Sequence, residues 1–405
     1  MLSIVSRPDL PSGKARLDAA TRLVFPIVEH LIPETLDAAL LRCCQGAWHY
    51  DVLSPARMLR LELLQACWPH QSFQETLREV WQTWRLTGVA AGTIPSSAAL
   101  AQARARTPLW AFETLFRHTA ALVADPARHP LCPDFRLLSV AGVPLVLPRT
   151  PALLDHFGTT SNPRGDNYYP QATAVWIVQL PGRGVLAEWL GSANHSDQNV
   201  APRLLPAVLR PGDLVLGDAH FGTFPNLHVV RAAAASFLVR APANLRPENH
   251  AMVRHSEAEL EIRLSPTRHV RTHYPDFHFS AHLDMRALRF PIPARDPLNG
   301  VEMATFLTDL PRELWPLERA QAVAALRWDQ ETIHGDVKTR MGLGDVRSQG
   351  PEGVRREVLA HLCCANALRA MLATTPALEL LNTSFTAALS ALRHANQQLR
   401  LLPAR

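Results

Sequence analysis

Late in the chain, four residues fall at spacings that could do chemistry on a phosphate. Arg327, Glu331, His334 and Lys338 are four, three and four residues apart, so on an α-helix they share one face. Glu331 to Lys338 spans two turns, about 10 Å of rise. An acid flanked on its own face by cations has the makings of a metal ligand set between two phosphate contacts. The same spacing also describes a solvated face knitted by i,i+4 ion pairs, which is the commoner use of the pattern. A second carboxylate, Asp218, ends the apolar run Leu214-Val215-Leu216-Gly217. If that run is a buried strand, Asp218 sits at its carboxyl end, where sites form in α/β sheets. A turn or helix N-cap aspartate is the alternative.

The elements around these residues change character along the chain. Up to about residue 125 apolar side chains recur at three and four spacing, as in Arg57–Trp68, Ser72–Trp84 and Trp110–Val123, and predict helices. From Asp134 the period shortens. Phe135–Val140 and Val143–Leu147 read as extended, and Ala172–Leu180 and Val185–Leu190 flank the turn Pro181-Gly182-Arg183-Gly184. A short helical stretch (Ala201–Leu209) precedes the strand Asp213–Gly217, and a helix near Phe224–Ala234 leads to a strand at Ser236–Arg240. Extended segments followed by alternating helix and strand imply an α/β core with a mixed sheet. Glu257–Leu264 and Asp284–Phe290 alternate charged and apolar residues and predict a β-rich stretch. After a strand at Thr305–Leu310, helices are expected over Leu317–Met341, Pro351–Leu372 and Pro376–Leu401.

Composition narrows the class. Hydrophobic residues make up 47% of 405 residues, enough to bury a sizeable core. No apolar run approaches the roughly 18 residues of a membrane span, and no signal peptide opens the sequence, so a soluble protein of the cytoplasm is expected. The six cysteines include two adjacent pairs, Cys43-Cys44 and Cys363-Cys364, a pattern that fits neither a disulfide framework nor zinc spacing. The net charge of +5 permits a polyanionic partner. All but Lys14 and Lys338 of the 41 basic residues are arginines, as a GC-rich coding bias gives, so a lysine inside a motif hints that an ammonium is wanted there.

Several of these residues stand in a recognisable order. Arg327-Trp328-Asp329-Gln330-Glu331, Lys338-Thr339-Arg340-Met341-Gly342, Val346-Arg347-Ser348 and Pro351-Glu352-Gly353-Val354-Arg355-Arg356-Glu357 resemble the C-terminal signature of bacterial insertion-sequence DDE transposases of the family numbered four. That signature runs Tyr, two residues, Arg, three residues, Glu, six residues, Lys. Arg327, Glu331 and Lys338 match it, and Ala324 stands in place of the tyrosine. Gly217-Asp218-Ala219-His220-Phe221-Gly222-Thr223 resembles the segment around the family's second catalytic Asp, with Ala219 replacing the usual arginine. Phe157-Gly158, Tyr169-Pro170 and the element Gln102-Ala103-Arg104 with Arg106 and Pro108 also match. The family's first Asp-Gly, followed by Leu-Pro-Asp-Thr-Pro, corresponds to Ala141-Gly142 and Leu147-Pro148-Arg149-Thr150-Pro151.

The resemblance implies a ribonuclease-H-like core in two parts, 129–241 and 305–345. A β-rich insertion is implied at 242–304, a helical DNA-binding head at 1–128 and a helical tail at 346–405. It implies metal-dependent phosphoryl transfer, cleavage and strand transfer at transposon ends, with two Mg²⁺ held by Asp, Asp and Glu. Carried over, Asp218 and Glu331 are catalytic metal ligands. Arg327 and Lys338 contact end phosphates, Arg104 and Arg106 bind DNA in the head, and Trp328 either stacks on a base near the cleavage point or packs in the core. The implied partner is double-stranded DNA at terminal inverted repeats, held by a homodimer in association with the nucleoid.

Ala141 stands where the first carboxylate belongs, and a methyl group cannot bind Mg²⁺, which takes oxygen ligands. Asp134 is seven residues back along an extended segment, about 23 Å away. A single Asp-to-Ala change in an otherwise intact enzyme would alter this position alone. A transposase-derived DNA-binding protein without catalysis would lose several, and Ala141, Arg149, Ala219 and Ala324 are four departures. If the alignment is right, Ala141 lies on the strand beside the one ending at Asp218, and Asp218 and Glu331 face one pocket.

Overall fold

The computed structural model describes residues 31–43, 52–86, 90–125, 128–162, 165–180, 182–293, 300–373, 385–390 and 393. Lys14, Cys44, Pro181 and most of the helix expected over Pro376–Leu401 lie outside them. The chain forms two compact units, one of Met1–Thr119 with Asp336–Arg405, the other of Ala120–Gly335.

The first unit is helical, as the three-and-four periodicity predicts. Its N-terminal part holds α1 (Glu34–Cys43), α2 (Pro55–Cys67), α3 (Phe73–Leu86) and α4 (Ser97–Arg106), and α5 (Leu109–Leu122) leaves it. Local signals set the starts. Pro55 occupies the first turn of α2, where its missing N–H costs nothing. A reciprocal capping box opens α3: Ser72 N donates to Glu75 Oε2 at 2.6 Å and Glu75 N to Ser72 Oγ at 3.2 Å. Those bonds from Ser72 hold the Glu75 carboxyl below its usual pKa. Ser96 caps α4 by accepting from Ala99 N.

The second unit is built on one sheet. In chain order it contains β1 (Arg136–Val146), α6 (Pro151–Phe157), the two-residue β2 (Ser161–Asn162) and β3 (Gly165–Asp166), β4 (Gln171–Leu180), β5 (Gly184–Ser192), α7 (Asp197–Leu204), β6 (Asp213–Gly217), α8 (Phe224–Ala232) and β7 (Ser236–Arg240). There follow β8 (Ala251–Arg254), β9 (Glu259–Leu264), α9 (Arg268–His273), β10 (Leu283–Pro293), β11 (Val301–Thr308), α10 (Leu317–Ala324) and α11 (Asp329–His334). Among the described residues nine strands make the main sheet in the order β5-β4-β1-β6-β7-β11-β10-β9-β8. The first five form an antiparallel meander, β1-β4-β5, with β6 added parallel to β1 and β7 parallel to β6. This mixed α/β sheet is consistent with a ribonuclease-H-like core. The central strands are buried on both faces, as the runs Val175–Val178 and Leu214–Leu216 require.

One expectation about the strands changes. The two extended segments expected at 135–147 are one strand, β1, which pairs β4 from Leu137 to Val146 without a break. The small pair Ala141-Gly142 interrupts the apolar pattern without interrupting the ladder. The β-rich segment after β7 is part of the main sheet, because β11 pairs antiparallel with β7, Leu307 opposite Val239. Sequence alternation reports that one face of a strand is buried; it says nothing of which strand lies alongside.

The helix expected over Leu317–Met341 is a helical run of changing pitch. It passes from α10 through a 3₁₀ turn at Ala325–Trp328 to α11, then to a π-helix at Gly335–Arg340. The last of these begins the return to the first unit. There Asp336, 2% exposed, is held by Arg340 and Arg369, and Met341 N reaches back five residues to the Asp336 carbonyl at 2.9 Å. The long α12 (Pro351–Ala373) completes the first unit and packs on α2, where Cys364 Sγ approaches the Leu63 carbonyl at 3.3 Å.

Candidate active site beside β1 and at the end of β6

Asp218 is the first residue beyond β6, every residue of which is buried. Its side chain does turn work: Oδ1 accepts from His220 N at 2.8 Å, and the Asp218 carbonyl accepts from Phe221 N at 3.1 Å. The turn is fixed from below by Gly222. A Cβ there would lie 2.5 Å from the Arg240 carbonyl oxygen and 2.8 Å from Pro242 Cδ. Backbone cannot swing aside, so Gly222→Ala is expected to cost about 1–3 kcal/mol, read as a lower urea midpoint. An unchanged midpoint would mean that the Asp218 turn is not seated on β7.

Ala141 is next to this turn. In the parallel pairing of β1 with β6, Val140 lies beside Gly217, so the following position on each strand is Ala141 and Asp218. The face follows from the pleat. Ser139, two residues back and therefore on the same face as Ala141, is wholly buried and donates its hydroxyl to Gln330 Oε1 on α11. Cross-strand partners agree. Ala141 is opposite Trp176, which is opposite Glu188, and the Trp176 ring meets His334 of α11 edge to face at 5.6 Å. Ala141 thus presents its methyl group to the face of the sheet that carries Gln330 and, one residue on, Glu331.

Glu331 itself is 55% exposed, with Arg327 Nη1 at 3.7 Å and His334 Nδ1 at 3.8 Å. The ion-pair use of the spacing is therefore realised in this state. The Arg327 guanidinium also lies 5.1 Å from the Trp328 ring centroid. Trp328 is 43% exposed, so it is a surface ring rather than a core one. The start of α11 is tied to the β4–β5 hairpin by Arg183 Nη2, 2.7 Å from Asp329 Oδ1. Lys338 lies past Gly335, in the π-helical turn and in the first unit. A π turn is wider than an α turn, so the four-three-four spacing does not set its position relative to Glu331.

Sequence reasoning missed Asp197. A Cβ on Gly142 would lie 2.5 Å from Asp197 Oδ2, and Asp197 Oδ1 is 3.7 Å from His220 Nδ1. The signal was the glycine after Ala141, which leaves room for a close approach. Asp197 comes to β1 on the face opposite Ala141, since successive side chains alternate, and so does not stand in for a carboxylate at 141. Among the described residues no group of three or more His, Cys, Asp or Glu side chains is disposed to hold a metal ion.

In the first unit Arg104 serves a buried charged network. It lies 3.6 Å from Glu62 Oε1, donates to Ser348 Oγ at 3.3 Å and covers the Phe73 ring at 4.4 Å. Burial pushes the Glu62 carboxyl up, against the pull of Arg104 and Arg356. Glu357 accepts from Ser348 Oγ at 2.7 Å and Ser348 N at 3.0 Å, and Arg356 donates to the Thr107 carbonyl at 2.6 Å. The Gln102–Arg104 element and the Val346–Ser348 and Pro351–Glu357 elements are thus joined to one another. Arg106, in the last turn of α4, is half-exposed.

A family model described as a transposase DDE domain matches residues 165–367, just over half of the chain. The matched span includes Asp218, Arg327, Glu331 and Lys338 and begins after Ala141. No curated protein matches the chain.

Proposed function

Because the chain belongs to the transposase DDE-domain family, we propose that it is a transposase-derived protein that binds duplex DNA at transposon ends without cutting it. One observation carries the reading: the methyl group of Ala141 stands beside Asp218 on the sheet face that bears the Glu331 helix. Divalent metals supply the nucleophile activation and leaving-group stabilisation in this family's chemistry. Magnesium takes a shell of hard oxygens, and two carboxylates with a methyl group in place of the third do not make that donor set. The four departures at Ala141, Arg149, Ala219 and Ala324 point the same way.

Loss of the metal site leaves the phosphate contacts. Arg327 and Lys338 act by charge, and the exposed Trp328 offers a ring on which a base can stack. Fluorescence anisotropy on a terminal-repeat duplex across a salt series, with nicking measured on the same DNA, tests the reading. Binding is expected to weaken steeply with salt, without Mg²⁺-dependent cleavage. Lys338→Ala is expected to lower the magnitude of the salt slope by about one unit. Robust Mg²⁺-dependent nicking would overturn the inactive reading in favour of a working transposase. No binding at low salt would overturn both.

A further inference from the structure

We propose that α9 and the end of α7 form a second phosphate-binding surface for duplex DNA, separate from Asp218 and Glu331. The proposal rests on the protein being a DNA binder and assigns part of that binding to a place no motif indicates.

The helix α9 has no buried residue, and Arg268, His269, Arg271 and His273 are all exposed. A helix polar all round is not built to fill a core. It is held from its two ends. Thr267 caps it by accepting from Val270 N at 3.2 Å, and Tyr274, only 4% exposed, anchors the other end by donating its hydroxyl to Asn199 Oδ1 of α7 at 3.1 Å. Segment 265–282 contains two arginines and four histidines against one carboxylate, Asp276.

The cations of this helix are not consumed by the fold. Elsewhere in the same unit Arg136, Arg183, Arg263 and Arg286 each hold a carboxylate within 3.0 Å. Among the described residues neither Arg268 nor Arg271 pairs with any acid. Three residues apart, they share a face, with Cβ atoms about 5–6 Å from each other. A third exposed guanidinium, that of Arg203 in the last turn of α7, lies 5.9 Å from the Tyr274 ring centroid. Charge of one sign on a polar, anchored scaffold complements a polyphosphate backbone. An acidic protein partner would want apolar ground at the centre of its interface, and α9 offers only the half-buried Val270.

Position sets this surface apart from the candidate site. Asp197, which opens α7, rests on Gly142 beside Ala141. Arg203 is six residues along that helix, about 9 Å of rise. Because Asp197 meets β1 on the face opposite Ala141, the α7–α9 surface is distinct from the face that bears the Glu331 helix.

The test uses the full chain and a terminal-repeat duplex. The double variant Arg268→Ala/Arg271→Ala is expected to reduce the magnitude of the slope of log K against log salt by about 1.8 units, roughly 0.9 for each phosphate no longer neutralised. Its circular dichroism and urea midpoint should be unchanged, since neither side chain touches the core. The double variant Arg268→Lys/Arg271→Lys, which keeps the charge, should retain the slope. If the parent binds with a steep slope and the alanine variant keeps it, the α9 surface is overturned while the proposed function stands. If the parent fails to bind duplex DNA at low salt, both are overturned.

Discussion

Ala141→Asp is expected to convert a protein that binds terminal DNA without cutting it into one that nicks it when Mg²⁺ is present. The expected gain over the parent's background is roughly 10³-fold, equivalent to about 4 kcal/mol of transition-state stabilisation. The geometry gives the reason. Position 141 lies on a continuous strand, next along from the Val140–Gly217 pair and hence beside Asp218, and faces the helix that carries Glu331. An aspartate there would complete three oxygen donors around one end of the sheet. Without metal, the new carboxylate repels Asp218, so the variant should be somewhat less stable than the parent. With metal the order reverses: at a hundredfold excess over its dissociation constant the ion adds about 2.7 kcal/mol to the folded state. A melting temperature that rises with Mg²⁺ in the variant and not in the parent is a readout independent of cleavage. Neither nicking nor a metal-dependent shift in a folded variant would refute the placement of Ala141 in the site.

The largest effect on stability is expected at the opposite end of the same two strands. Arg136 and Asp213 are partners in the β1–β6 register. Their side chains are 3% and 2% exposed, joined by Nε and Nη2 at 2.9 and 2.7 Å. Arg136 also donates to the carbonyls of Val208 at 2.8 Å and Ala124 at 3.3 Å, and Asp213 accepts from Arg210 N at 2.7 Å. Arg136→Met leaves a buried carboxylate without its cation and should cost about 3–5 kcal/mol in urea denaturation. Arg136→Met/Asp213→Asn removes both charges and should recover most of that loss. A single-variant cost below about 1 kcal/mol would show that solvent reaches the pair.

How much of this is readable in the sequence depends on whether the signal is local. β6 and β7 are legible with the bounds observed, because short apolar runs between turn residues leave few other options. Asp218 falls at the end of its strand for the same reason. The pitch changes along the helical run at 317–340 are not readable, since Asp336, inside the π turn, is paired with Arg369 of α12, a partner that no local pattern names. Arg104 resembles a DNA contact because its motif is basic. That it lies against Glu62 and Ser348 depends on segments more than forty residues before it and more than two hundred after it. Asp197 is hidden for the same reason: Gly142 marks a close approach, but only the folded chain shows that Asp197 makes it.

The joining of β11 to β7 bears on how the chain avoids sticking to itself. A core that ended at β7 would offer an open row of backbone donors and acceptors along a well-ordered apolar strand, a template for another chain. β11 covers that row, and Arg240 and Glu302 clasp across the join at 3.0 Å. The exposed border passes to β8, four residues long and exposed throughout, with an irregular register against β9 and Arg254 at its end. Short, bulged and charged borders recruit neighbours poorly. The strands after β7 therefore shield the sheet against aggregation, and deleting them would unmask the hazard even if every residue of the candidate site stayed in place.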